Sequence, residues 1–254
     1  MTDPASGEAA GGTADGATSS AVRWAVVIPV KPAAVGKSRL ADGLPDGVDR
    51  VALARAIALD TIAAAAQASR VDEVVVVTAD DEVDAAASAL DRVRVVRETE
   101  PRGLDAAVAA GVAAAGATGV AGGGATGVAG GVAPGRWRAA LLGDLPALAP
   151  GDLAAALARG AAVERGVVAD YEGTGSTLIT AGPGVPWVSA FGVDSFARHR
   201  AQGFVALDVS ADSTLRRDVD TAAHLSAAAL LGVGSRTAAV LGTSLLPGPT
   251  ESLA

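Results

Sequence analysis

Residues 24–39 read WAVVIPVKPAAVGKSR, and the fold follows from the way this stretch changes character at its middle. The first part, WAVVIPV, is a short apolar run rich in β-branched side chains, which suits a strand better than a helix. It carries no polar residue on alternate positions, so both of its faces are expected to be buried, as in a parallel sheet. Lys31-Pro32 stops it, and residues 31–39 then form a basic loop with backbone freedom at Gly36. The end of the first strand of an open α/β sheet is a favoured place for phosphates.

Outward from this strand the pattern repeats. Residues 48–68 carry Val51, Ala54, Ile57, Ala58 and Ile62 at helical spacing, and 74–77 are a second β-branched run. Residues 79–90 read as a helix and 93–96 as a third strand. A further helix starts near Gly103 with Leu104, Ala107, Val108 and Val112, and 139–142 form a fourth strand ending at Gly143-Asp144. Beyond it, 167–169, 177–180 and 205–209 read as strands, 194–202 as a short helix and 221–231 as a longer one. Strands alternating with helices predict a mostly parallel sheet covered on both faces, with at least one antiparallel addition in the second half.

Composition narrows the class. Half of the 254 residues are apolar but only 3% are aromatic, so the core is built from Val, Leu, Ile and Ala. Cysteine is absent, which excludes disulfides, thiolate metal sites and a cysteine nucleophile, and fits a reducing cytoplasm. Net charge is −8, against a broad nucleic-acid surface. No apolar run reads as a membrane span or a secretory signal. Residues 1–22 and 241–254 read as disordered tails around a single domain at 23–240. Within it, GATGVAGG at 116–123 is repeated letter for letter at 124–131, so 113–136 reads as a flexible Gly/Ala-rich insertion. The Gly122-x-Gly124-x-x-Gly127 spacing there belongs to the repeat and follows no strand, so it is not a dinucleotide fingerprint.

Several groups can carry chemistry. Lys31 and Lys37 are the only lysines, against 18 arginines, and both stand in the loop after the first strand. Gly36-Lys37-Ser38 resembles the close of a P-loop, but the glycine required five places earlier is Lys31, so that pattern fails. Lys31, Lys37 and Arg39 can still clamp a triphosphate, or they form a solvated turn. Asp144, at the carboxyl end of a strand, is either a Mg²⁺ ligand or the cap of the next turn. In Asp218-Val219-Asp220 the alternate positions share one face, and two adjacent carboxylates call for a cation between them. Capping by Asp220 or Thr221 explains one acid but not the pair. The loops at 173–177 and 191–195 offer amides and hydroxyls to an anion. His199, between two arginines, and His224 both read as helix-surface residues, His199 near an anion at most; no Ser-His-Asp arrangement is visible.

Three separated motifs, VIPVKPAAVGKSRL (27–40), LLGDLPAL (141–148) and LRRDVDT (215–221), are joined in order by GTGSTL (173–178) and FGVDSFARH (191–199). Together they resemble the guanylyltransferases of coenzyme F-420 biosynthesis, over residues 24–231. The resemblance implies a nucleotide-diphospho-sugar-transferase-like, Rossmann-like three-layer α/β fold with a mixed, mostly parallel sheet. It implies transfer of GMP from GTP to phosphoenolpyruvate or 2-phospho-L-lactate with release of pyrophosphate, and coupling to the next enzyme of the pathway. By the same resemblance Asp144, Asp218 and Asp220 hold Mg²⁺, and Thr177, Gly192 and Ser195 bind the phosphorylated acid. Lys31, Lys37 and Arg39 face the GTP phosphates, with Gly36 in their loop and Gly103 and Asp105 near the base. Where the family pattern expects another Asp, this chain has His224. The high Ala, Gly and Arg usage suggests an actinobacterium and so favours phosphoenolpyruvate. Related molybdenum-cofactor guanylyltransferases, cytidylyltransferases, sugar-nucleotide enzymes and a non-catalytic nucleotide-binding protein are the rival readings.

Overall fold

The computed structural model describes residues 22–34, 40, 42–100, 102–117 and 136–242. Seven strands form one sheet: β1 (Trp24–Val30), β2 (Val71–Thr78), β3 (Val93–Arg97), β4 (Trp137–Leu141), β5 (Arg165–Ala169), β6 (Ser176–Ala181) and β7 (Val205–Ala206). Their order is β3-β2-β1-β4-β6-β5-β7. All run parallel except β6, which is antiparallel to both β4 and β5. The antiparallel addition is therefore internal, inserted by a hairpin turn at 170–175 that returns the chain between β4 and β5.

Seven helices cover the sheet: α1 (Arg50–Gln67), α2 (Asp81–Ser88), α3 (Leu104–Ala117), α4 (Pro150–Gly160), α5 (Ser195–Ala201), α6 (Ala222–Leu231) and α7 (Ser235–Leu241). β1 shows why both faces are covered. Trp24, Val26 and Ile28 join one buried cluster with residues of α1, α2 and α4. Ala25 and Val27 join the opposite cluster with Val108 and Val112 of α3. A third cluster lies behind α1, where Leu53 and Ile57 meet Leu225 and Ala228 of α6 and Leu241 of α7. Between the sheet and these last helices, α1 is buried on nearly every side, which explains why its apolar stripe is so broad. The three-layer sandwich matches the reading of the sequence.

Three differences are instructive. Helix α4 was not legible, because Ala149-Pro150-Gly151-Asp152 reads as a turn. Pro150 in fact sits at the first helical position, where it loses no hydrogen bond. Helix α7 was missed as well; its start is held by the buried Asp60 of α1, which accepts from Arg236 N at 3.2 Å and Thr237 N at 2.7 Å. The strand read at 205–209 shortens to two residues, since β5 offers pairing only at Gly166 and Val167. Helix α3 takes in residues 113–117, and 118–135, with most of the octad repeat, fall outside the described residues, as do 1–21 and 243–254. Among the described residues no helix is long and apolar enough to cross a membrane.

Gly111 sets how closely α3 approaches the sheet. A Cβ there would lie 2.9 Å from Val77 Cγ2 and closer still to Val27 Cγ1. Both neighbours are stiff β-branched side chains on central strands. Gly111→Ala gains about 1 kcal/mol of helix propensity but overpacks the core by about 1–3 kcal/mol. Net destabilisation is expected, read as a lower denaturation midpoint at unchanged denaturant slope.

Candidate active site

Every parallel strand delivers its carboxyl end to one edge of the sheet, and β1 lies where the strand order reverses, with β2 on one side and β4 on the other. Lys31 leaves β1 at this edge with its side chain exposed. Gly36, Lys37 and Arg39 lie outside the described residues. The loop's first turn is held from below: Ala33 N donates to the buried Asp80 at 3.1 Å, and Arg50 donates to the Ala33 carbonyl at 3.0 Å.

A cleft of about 620 Å³ opens at the same edge. One wall is acidic. Asp144 follows β4, and Asp218 and Asp220 come from an extended segment 75 residues or so downstream in the chain. Two anchors bring that segment in. Val219 N donates to the Asp144 carbonyl at 3.0 Å, and the Val219 side chain is fully buried with Leu53 and Ile57. With Val219 turned inward, the flanking Asp218 and Asp220 turn the other way, into the cleft. Upstream, Asp152 of α4 accepts from Thr214 N at 2.7 Å, and Arg216 donates to the Asp170 carbonyl at 2.9 Å.

The half-buried Asp218 carboxyl is pushed up to about 7, first by loss of solvent, then by the negative charges of Asp144, Asp220 and Asp170. The cap of α6 is Thr221, whose side chain accepts from His224 N at 3.2 Å. Capping thus makes no demand on Asp220. His224 Nδ1 accepts from Asp220 N at 3.4 Å, so the residue that replaces the expected Asp holds the backbone of the acidic segment. Among the described residues, no three His, Asp or Glu side chains already converge as a metal cage.

The opposite wall offers amides and hydroxyls beside the exposed Asp194. It is lined by Thr174, Gly175, Ser176, Gly192 and Ser195. Asp170 shapes its first loop, accepting from Thr174 N at 3.0 Å and Gly175 N at 2.6 Å. A Cβ on Gly175 would collide with that carboxylate. The second loop is tied from three sides: Phe191 N donates to Asp105 at 3.1 Å, Arg198 donates to the Phe191 carbonyl at 2.6 Å, and Ala190 N donates to His199 Nε2 at 2.9 Å. Asp105, expected near the base, is thus seen tethering α3 to this loop, with Leu104 beside it lining the cleft. Gly103 precedes α3 with φ +97°, a left-handed turn that glycine permits.

The structure brings Asp218, Asp220, Gly192 and Ser195 into one cleft, with Asp144 beside Asp218 but not itself lining the cleft. Thr177 is fully buried and does not line the cleft; its hydroxyl has no hydrogen-bond partner, and the neighbouring Ser176 lines the cleft instead. His199 requires a correction. It is not at the surface but wholly buried, between Phe191 and Phe204, with both ring nitrogens engaged. Burial pushes its pKa down to about 4, so the ring is neutral at pH 7. Sequence reading also missed Tyr171 and Arg217, stacked with the guanidinium 3.6 Å from the ring centroid at the mouth of the cleft. Their partnership joins positions 46 apart, which no local pattern reveals.

Comparison with known proteins agrees with this architecture. Residues 24–120 match the family described as "Guanylyl transferase CofC like". The phosphoenolpyruvate guanylyltransferase of Streptomyces avermitilis is 42% identical over 228 residues, covering 90% of this chain and 98% of that protein. That of Streptomyces scabiei is 45% identical over 231 residues, covering 89% of this chain and all of its own length. In fold, the chain is similar to a protein of Desulfovibrio desulfuricans G20 described as a nucleotide-diphospho-sugar transferase, with TM-score 0.51, 14% identity, and 83% and 96% of the two chains covered. An α/β sheet with an acidic wall at its switch-point edge, and relatives matched nearly end to end, give one assignment: the chain belongs to the CofC-like guanylyl transferase family, with the phosphoenolpyruvate guanylyltransferases.

Proposed function

We propose that this protein transfers GMP from GTP to the phosphate of phosphoenolpyruvate, in coenzyme F-420 biosynthesis. A phosphate oxygen of the acid bonds to the α-phosphorus, the α–β anhydride breaks, and pyrophosphate leaves. The observation that carries the reading is the acidic wall: three carboxylates at the sheet edge, with Asp218 held up to about 7 by loss of solvent first and by its acidic neighbours second. Such a wall repels a triphosphate and a phosphorylated acid unless a cation intervenes.

Asp144, Asp218 and Asp220 are the residues that would hold Mg²⁺. The set fits that ion because Mg²⁺ binds hard carboxylate oxygens and completes its shell with phosphate oxygens and water, so no closed protein cage is required. When bound, the ion would offset charge on the phosphates and on the leaving pyrophosphate. Lys31, with Lys37 and Arg39 from the same loop, supplies cations toward the triphosphate. Gly192 and Ser195 line the opposite wall as donors for the acid.

The test is pyrophosphate release from purified protein with Mg²⁺, crossing each nucleoside triphosphate against phosphoenolpyruvate and 2-phospho-L-lactate. Release requiring both GTP and phosphoenolpyruvate is expected; release with phospholactate alone would correct the acceptor, and silence in all pairings would overturn the reading. Asp218→Asn should lower kcat by about a hundredfold or more, the scale of losing one charge-stabilising group. The same variant should fold normally, because the change relieves repulsion at nearly constant volume.

A pH dependence follows from the raised Asp218 pKa. The folded state binds this proton more tightly than the unfolded chain, so the stability it contributes is complete below the ordinary carboxylate range and is lost as pH rises through about 7. Metal-free protein should therefore lose thermal stability between about pH 5 and about pH 8. The loss should be smaller in Asp218→Asn. Added Mg²⁺ should raise Tm more at the higher pH; equal shifts at both ends would count against these carboxylates as its ligands.

A further inference from the structure

We propose that Ser176 is a further hydrogen-bond donor to the anionic oxygens of the phosphorylated acid, and that His199, which does not reach the cleft, is the positioning residue that aims it. This rests on the acceptor subsite proposed above. The argument is one of proton placement. His199 Nε2 receives the Ala190 amide at 2.9 Å. A backbone N–H can only donate, so Nε2 carries no proton. The ring's proton is then on Nδ1, which lies 3.0 Å from Ser176 Oγ.

Ser176 Oγ is therefore the acceptor in this pair. A serine hydroxyl has one proton and two lone pairs, and with a lone pair taken by His199 its proton must be directed elsewhere. Among the described residues no group receives it. Ser176 itself stands at the first position of β6, 2% exposed, in the wall that also holds Gly192 and Ser195. A buried donor with its proton turned toward a cleft for anions is a built contact, and it costs no rotamer entropy on binding because the hydroxyl is already oriented.

The surroundings keep the arrangement from inverting. His199 is completely buried, with Phe191 at 5.1 Å and Phe204 at 5.2 Å between ring centroids. That apolar packing disfavours a second proton on the ring, which would force Ala190 N off Nε2. The charged neighbours of the ring, Asp105 and Arg198, act in opposite senses. Since Ala190 lies two residues before Gly192, one side chain sets both the serine and the acceptor loop.

The experiment is a comparison of Ser176→Ala, His199→Leu, His199→Asn and the S176A/H199L double variant. Acceptor and GTP saturation curves are measured with Mg²⁺, alongside calorimetric titration with phosphoenolpyruvate. Ser176→Ala should raise the acceptor KM and Kd roughly tenfold to a hundredfold, the value of a hydrogen bond to a charged group, with the GTP KM unchanged. His199→Leu should match it, and the double variant should be no worse than either alone. His199→Asn keeps an amide donor near the Nδ1 position and should restore most acceptor affinity, which a merely space-filling role would not. If His199→Leu does not fold, Ser176→Ala and His199→Asn decide. An unchanged acceptor KM in folded Ser176→Ala, with wild type active, would overturn this inference alone. A wild type that neither binds nor turns over phosphoenolpyruvate would overturn the parent reading and this inference together.

Discussion

The hydrogen bond from Val219 N to the Asp144 carbonyl, backed by the burial of Val219 itself, is the constraint on which the catalytic edge depends. It joins the end of β4 to a segment that has already passed through the hairpin, α5 and β7. The stabilisation from one buried valine, about 1.5–3 kcal/mol, is enough to oppose the repulsion of carboxylates in a partly solvated site. Packing thus holds the acids together against their charge, and burial first, then the neighbouring acids, raise the Asp218 pKa. Stability is given up locally at this edge, as functional sites commonly require.

The rest of the molecule is arranged so that this edge is rigid. With aromatics scarce, the core relies on close approach of small residues, of which Gly111 against Val27 and Val77 is one example. The antiparallel β6 is what places the wall opposite the acids. Because it runs back between β4 and β5, its first residue emerges at the same edge as the last residues of the parallel strands. A parallel strand in that position would have delivered its carboxyl end there, and the loop before it would have lain at the far edge.

The first four strands, their helices and the acidic pair were legible because each is signalled locally: continuous β-branched runs for strands buried on both faces, and alternation for Asp218 and Asp220. Asp144 was legible only as a choice between ligand and cap. What could not be read was set by distant partners. Nothing near His199, flanked by two arginines, announces a buried ring, since its partners are Ser176, Ala190, Phe191 and Phe204 on other elements. Asp105 is similar: its position at the start of α3 was visible, but its bond to Phe191 spans 86 positions. Helix α4 was hidden for the opposite reason, since its local signals of Pro and Gly favour a turn and tertiary packing of Leu153 and Leu157 overrides them.

The two walls divide the reaction between them. The nucleophile is a phosphate oxygen, already ionised at neutral pH, so proton abstraction is unnecessary and a general base would add nothing. The histidines agree with that. His199 has both nitrogens committed to structure and stays neutral, while His224 spends Nδ1 on the backbone of Asp220. What remains is alignment and charge. The acidic wall cannot supply attraction by itself; it becomes attractive to phosphates only through a cation. The hydroxyls and amides of the opposite wall are fixed by Asp170, Asp105 and His199 before any substrate arrives. A cation on the acidic wall and fixed donors opposite would together let two anions bind side by side, with the exposed Lys31 adding positive charge from the loop after β1.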